Sequence, residues 1–204
     1  MKRNVFLLKG NNVIHKGKIY EIDMFLKEFK IPKQIVIYIL GEDLFIHDYA
    51  INTKVHKNNV IDNILKSVFG VDEDYLFDYN LDRKNKLVNI YAVKGGHRVS
   101  KLCKNVIDVK VIPLQFEISR LSKSKVKDKN FRLIYLYSGS YYFMEFYNMK
   151  LIKSFVKDNL EDVKKIVEND SSTVIYIDNK IEELNIKNTK KIDLRRILDE
   201  KILS

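Results

Sequence analysis

The stretch from Asn130 to Phe155, NFRLIYLYSGSYYFMEFYNMKLIKSF, leaves few ways to fold. Phe131 to Tyr137 is dominated by apolar, aromatic and β-branched residues, as in a strand buried on both faces. Ser138-Gly139-Ser140 is a tight turn in which Gly139 is free to take positive φ. Tyr141 to Tyr147 alternates as a second strand. Tyr141, Phe143, Glu145 and Tyr147 fall on one face, and Tyr142, Met144 and Phe146 on the other. Asn148 begins another turn, and Lys150 to Phe155 returns as a third strand. The product is an antiparallel meander with very short connections. Its aromatic faces need cover on both sides, and a face without cover would be a docking surface.

The flanking segments extend this pattern. An amphipathic helix is expected over Leu160 to Val167, capped by Asp158 or Asn159, then a strand over Thr173 to Asp178. The tail from Glu182 reads as weakly structured until Asp193, which caps a final helix, LRRILDEKIL. Upstream, Asn4 to Leu8 and Asn12 to His15 form a hairpin turning at Lys9-Gly10-Asn11, with a third strand around Ile19 to Ile22. Asp23 is expected to cap a short helix with Met24, Phe25 and Phe29 inward. Gln34 to Leu40 is a buried strand, Leu44 to His47 pairs back, and Lys57 to Phe69 is an amphipathic helix closed by Gly70. Tyr75 to Asn80, Lys86 to Val93 and Ile107 to Ile112 read as strands. Pro113 suits the start of a helix to about Leu121, with Leu114, Ile118 and Leu121 inward.

Strand-turn-strand-turn-strand-helix-strand is the half-domain unit of the actin-like and ribonuclease-H-like folds. The Asn4 to His15 hairpin opens an earlier stretch in the same way, at a glycine turn. The expected fold class is α/β: a reduced actin-like (ribonuclease-H-like) fold of two small lobes with mixed sheets and flanking helices. The expected division is a first lobe over 1–121 with an inserted subdomain over about 34–104. A polar, lysine-rich linker over 122–130 and a second lobe over 131–204 follow.

Apolar residues make up 46% of the 204, enough for a packed core and too many for a disordered chain. Cys103 is the single cysteine, which excludes an intramolecular disulfide and points to a reducing compartment. No run is long and apolar enough for a signal peptide or a membrane span. The net charge of +10 points to nucleic acid or an anionic membrane surface. Lysine dominates over arginine, whereas base readout favours arginine, so nucleic acid is not expected. Lys187, Lys190, Lys191, Arg195, Arg196 and Lys201 make the tail basic, as in segments beside a membrane span or held at its surface.

Candidate chemistry is sparse. The turns at Gly10 and at Ser138, Gly139 and Ser140 are the candidate phosphate loops, and hairpin turns of this kind are usually no more than turns. Gly95-Gly96-His97-Arg98 reads as an anion cradle at a helix start or as a simple helix breaker. His15, His47, His56 and His97 lack metal-site spacing. Asp72, Glu73, Asp74 and Asp78 lack the internal glycine turn and ligand number of a calcium loop. Cys103 has no visible activating partner. No metal, cofactor or catalytic residue is expected, and the chain reads as a non-enzyme.

In order, IVIYILGEDLFIHDYAI, NNVIDNILKSVFGVDEDYLFDYNL, KLVNIYAVKGGHRVSKLCK, VIDVKVIPLQFEISR and the meander follow the succession of PilM of type IV pilus systems. The chain resembles that family and the related GspL cytoplasmic domain of type II secretion over about Ile35 to Phe155. The resemblance implies a scaffold at the cytoplasmic face of the inner membrane. Such a scaffold binds the tail of a bitopic, PilN-like membrane partner between the first lobe and its inserted subdomain, and links it to the assembly ATPase. A membrane surface and a homodimer are compatible with it. Nucleotide-binding members carry an acidic residue two positions before each phosphate-loop glycine, where it holds a metal. Those positions here are Leu8 and Tyr137. The departure implies a nucleotide-free member, with any binding at Gly10 and Ser138 to Ser140 vestigial. The alternative is an actin-like ATP-binding protein with a degenerate metal site.

Overall fold

β-branched and aromatic runs separated by two-residue turns build most of the chain into three sheets. A computed structural model describes residues 4–50, 66, 74–167, 173–182, 184 and 186–203. In chain order the first elements are β1 (Asn4–Lys9), β2 (Asn12–His15), β3 (Lys18–Glu21), α1 (Ile22–Glu28), β4 (Gln34–Leu40) and β5 (Leu44–Ala50). Then come β6 (Tyr75–Asp82), β7 (Leu87–Lys94), α2 (Gly96–Leu102), β8 (Asp108–Pro113) and α3 (Leu114–Lys125). The rest comprises β9 (Phe131–Tyr137), β10 (Ser140–Tyr147), β11 (Lys150–Lys157), α4 (Leu160–Val167), β12 (Ile175–Asp178), β13 (Thr189–Ile192) and α5 (Arg195–Leu203). The predicted helix Lys57 to Phe69 lies, apart from Lys66, outside the described residues.

The first sheet has the order β3-β2-β1-β4-β8 and the second β11-β10-β9-β12-β13. Both sheets begin with an antiparallel three-strand meander and end with two strands added in parallel. The two halves therefore share one topology without a visible repeat of sequence. Each sheet is followed by a helix, α3 or α5, and these two helices touch. Ile118 and Leu121 of α3 and Leu198 and Ile202 of α5 are buried in the core that joins the lobes.

Backbone conformation at the turns explains the tight meanders. Ser138 and Gly139 both have positive φ, +50° and +75°, as a two-residue hairpin of the primed type requires. Lys16-Gly17 and Asn148-Met149 repeat that geometry. The turn is thus Ser138-Gly139, and Ser140 opens β10, fully buried, with its hydroxyl donating to Asp158 Oδ1 at 3.2 Å.

Period-two alternation holds in the meander. Tyr142, Met144 and Phe146 join the core shared by both lobes. Phe143 on the opposite face packs under α4 with Val163 and Val167, and stacks on Phe155 at 4.5 Å between ring centres. Both aromatic faces are thus covered within the chain, and Tyr147 at the strand end is left 59% exposed.

Four expectations need correction. The inserted unit does not begin at Gln34, because β4 is an inner strand of the first sheet. The insert is the separate sheet β5-β7-β6 with α2, entered after Leu40. The linker over 122–130 is not solvated throughout. α3 continues to Lys125, and Ser122 and Val126 are buried because the helix's apolar stripe continues past Leu121. The tail is ordered earlier than Asp193, since β13 pairs in parallel with β12. At α1, Glu21 occupies the cap with no side-chain bond, and Met24 is 48% exposed while Phe25 is buried. Asn159 does cap α4, accepting from the Asp162 amide at 2.9 Å, and Asp193 accepts from the Arg195 amide at 3.0 Å.

Candidate functional site

Two places merit description as sites: the cleft where the two glycine turns meet, and a groove beside the inserted sheet. In the cleft, β1 ends at Lys9 and β9 at Tyr137, so the turns after them approach each other across the lobes. The Lys9 ammonium donates to the Ser138 carbonyl at 2.5 Å and lies where it would be 3.9 Å from a Cβ at Gly139. Arg98 donates from Nη1 to the Gly10 carbonyl at 2.9 Å and pairs through Nη2 with Glu42 at 2.7 Å. Gly41, the next turn along, donates its amide to the Tyr142 hydroxyl at 2.8 Å. Asp43 accepts from the Val156 amide at 2.6 Å, and the buried Gln115 donates to the Glu42 carbonyl at 2.7 Å. Cross-lobe hydrogen bonds thus pin the cleft, and both candidate phosphate turns are engaged by the chain's own cations.

Leu8, where the related fold carries an acid, is fully buried, and Tyr137 is 7% exposed. Burial pushes the Tyr137 hydroxyl well above the usual phenol range, and the nearby Asp199 carboxylate adds to the effect. Its hydroxyl donates to Asp199 at 3.2 Å. Neither position offers a metal ligand. Among the described residues no group of three acids, histidines or cysteines is placed to hold a metal ion.

The Gly95-Gly96 helix start is also closed. Gly95 and Gly96 donate their amides to the Asp74 carbonyl at 2.8 and 2.7 Å, and the His97 amide donates to Asp74 Oδ1 at 3.2 Å. The donors that would cradle an anion are satisfied by Asp74. Asp72, Glu73 and His56 lie outside the described residues. His15 packs among Phe6, Phe25 and Phe29, and burial pushes the Cys103 thiol up, which makes it a poor nucleophile.

A buried ion pair supports the second turn from below. Asp178, 1% exposed at the end of β12, accepts from Arg195 at 3.2 Å and from the Leu136 amide at 3.2 Å. Arg195 also donates to the Leu136 carbonyl and lies over the rings of Tyr135 and Tyr137. The basic tail is therefore largely occupied. Lys190 pairs with Asp128, Lys191 donates to the Ile181 carbonyl, and Arg196 pairs with Glu200.

The groove has a different character. β8 is one of the two outer strands of the first sheet, and β6 one of the two outer strands of the inserted sheet. Between them and α3 runs an open cavity of about 490 Å³, with Leu76, Phe77, Tyr91, Val111 and Phe116 on its apolar walls. Tyr91 and Phe116 meet edge to face at 5.2 Å. Its charged residues are Asp78, Lys110 and the pair Glu117–Arg120 at 3.0 Å. Ile107 is 75% exposed and Val109 41% exposed along the same edge. Both edges of the second sheet are blunted: β13 by lysines, and β11 by Asp43, which accepts one of its amides. An outermost strand with exposed β-branched residues beside an apolar trough is a surface built to take another strand.

Gly10, Ser138 and Gly139 lie in turns, as expected, and Ser140 opens β10, but the approach of the two turns and the parts of Lys9, Arg98, Asp178 and the β8 edge were not found from the sequence. Lys9 and Arg98 look like ordinary surface cations in one dimension. Only the alternation of β8, with Ile107 and Val109 two residues apart, carried a usable signal.

A scan of protein-family models and a search of curated proteins return no match. Comparison with solved structures does. A Bacteroides thetaiotaomicron protein with an actin-like ATPase fold and unknown function aligns with a TM-score of 0.51 at 12% identity, covering 98% of this chain and 90% of that one. The cytoplasmic domain of EpsL, an inner-membrane component of the type II secretion system of Vibrio cholerae, aligns at 0.56 and 12% identity, covering 97% and 92%. A chain of the PilM–PilN type IV pilus biogenesis complex aligns at 0.54 and 7% identity, covering 99% and 86%. The chain has the actin-like fold, as the order of its strands and the hairpin pattern led us to expect.

Proposed function

We propose that this protein is a non-enzymatic scaffold of a type IV pilus or type II secretion assembly platform at the cytoplasmic face of the inner membrane. The observation that carries the reading is the apolar groove between the outermost strands β6 and β8. It suits an extended peptide, here the cytoplasmic tail of a bitopic, PilN-like membrane protein, whose backbone would add to a strand edge and whose alternate side chains would fill the trough. Of the two strands that the sequence suggests for the floor of such a groove, Gln34 to Leu40 is an inner and buried strand, whereas Lys86 to Val93, as β7, does line it, together with β6, β8 and α3. The scaffold would link that tail to the assembly ATPase. The PilM–PilN complex and the EpsL domain, which share this fold, support the choice of system. No helix among the described residues is long and apolar enough to cross a membrane.

Phe116 is a half-buried wall residue on which the test can turn. In a calorimetric titration with the tail peptide, Phe116→Arg is expected to weaken binding at least about tenfold, as loss of an aromatic anchor does. Unchanged affinity would remove the groove from the account.

A second reading, an actin-like ATP-binding protein with a degenerate metal site, is favoured by one observation: Lys9 brings a cation between the two turns. We expect no heat on titration with ATP, with or without magnesium, because Leu8 and Tyr137 supply no metal ligand and the turns are already engaged. Heat that disappears in Lys9→Ala would favour the second reading.

A further inference from the structure

A second cavity, of about 550 Å³, lies in the first lobe between α1 with its following loop and α2. Its apolar floor is Leu26, Phe29, Ile31 and Leu102, and its rim carries Lys30, Lys33, Lys101 and Lys104, with no acid in the lining. Lys101 is paired with Asp23 at 2.5 Å. The other three are exposed and have no ion-pair partner among the described residues. Beside the rim, the Ile107 amide donates to the Lys33 carbonyl at 2.9 Å. Met24 on α1 is 48% exposed.

We propose that this face rests on an anionic phospholipid surface, with phosphates at the lysine rim and the apolar floor toward the lipid. Charge complementarity selects the occupant. Lysine is a compact point charge that attracts phosphate without an orientational demand, and the apolar floor enclosed by the lysines suits acyl chains more than an acidic peptide. Clustered lysines next to exposed apolar side chains are the usual recipe for binding acidic lipid. The lining of this cavity shares no residue with the groove, and within the basic tail Lys191 and Arg195 are held by the Ile181 carbonyl and by Asp178.

The test is co-sedimentation of the full chain with phosphatidylglycerol vesicles and with phosphatidylcholine vesicles at low salt. The variant Lys30→Gln/Lys33→Gln/Lys104→Gln is compared with the charge-matched variant Lys84→Gln/Lys127→Gln/Lys187→Gln. All six lysines are exposed, so both variants keep the fold. Binding to the acidic vesicles only is expected, reduced roughly a hundredfold in the first variant and only severalfold in the second. Equal losses in the two variants would reduce the effect to net charge and overturn the proposal. So would absence of binding to acidic vesicles, or binding of soluble polyglutamate lost in the first variant without vesicle binding. Tail-peptide affinity measured on the same variants separates this outcome from failure of the groove.

Discussion

Raising the pH from about 9 to about 11 is expected to lower the stability of this protein steeply, by roughly 4 kcal/mol per pH unit above about 10. Tyr135 and Tyr142 are fully buried and Tyr137 nearly so. Burial is the main cause that raises all three phenols above their ordinary range, and carboxylates at Asp178 and Asp199 add to it for Tyr135. The folded chain holds these protons after the unfolded chain has released them. A raised folded value gives stability that is fully present below the unfolded value, near pH 10, and lost as the pH rises through the folded one. Each tyrosine contributes about 1.4 kcal/mol per pH unit in that window. Urea midpoints across the alkaline range would measure the slope. Tyr135→Phe is the informative variant. The Tyr135 hydroxyl is buried without a hydrogen-bond partner among the described residues, so its removal should leave the protein at least as stable at neutral pH and cut the alkaline slope by about a third. A stability unchanged between about pH 9 and about pH 11 would show that these side chains are solvated.

Replacement of Asp178 should cost more than any other single carboxylate considered. Asp178→Ala leaves the Arg195 guanidinium without its anion and the Leu136 and Lys180 amides without their acceptor. Breaking one side of a buried pair costs about 3–5 kcal/mol. Arg195 keeps 23% of its side chain exposed, which favours the lower end, about 3 kcal/mol. For a chain of this size that is a fall in melting temperature of roughly 10 °C. The double variant Asp178→Ala/Arg195→Met should recover part of the loss, because no buried charge remains unpaired. A thermal melt of Asp178→Ala within about 2 °C of the parent would contradict the role given to this pair.

The lobes were legible in the sequence because local physics dictates them. Two-residue turns with a glycine, period-two aromatic strands and a capped helix give the Phe131 to Val167 unit without knowledge of anything distant. The insert was misplaced for a related reason. Gln34 to Leu40 is uniformly apolar, and a run of that kind does not say whether it is the inner strand of one sheet or of another. Only the parallel pairing of β4 with β1 and β8 decides it. Gly10 and Ser138 to Ser140 could be named as turns, but what fills the space between them comes from Lys9 and from Arg98, 88 residues from Gly10. The groove shares that difficulty. Its walls come from β6, β7, β8 and α3, and inward and trough-facing apolar side chains have the same pattern in one dimension.

Amide hydrogen exchange of the full chain, with and without the cytoplasmic tail peptide of a bitopic, PilN-like membrane protein, tests the scaffold reading most directly. The groove predicts protection over Tyr75–Asp82 and Asp108–Pro113, the two outermost strands that border it. Protection confined to the second lobe, around Phe131 to Phe155, would contradict the placement. No protection anywhere at tail concentrations up to about 1 mM, where binding amounts to only about −4 kcal/mol, would contradict the scaffold role itself.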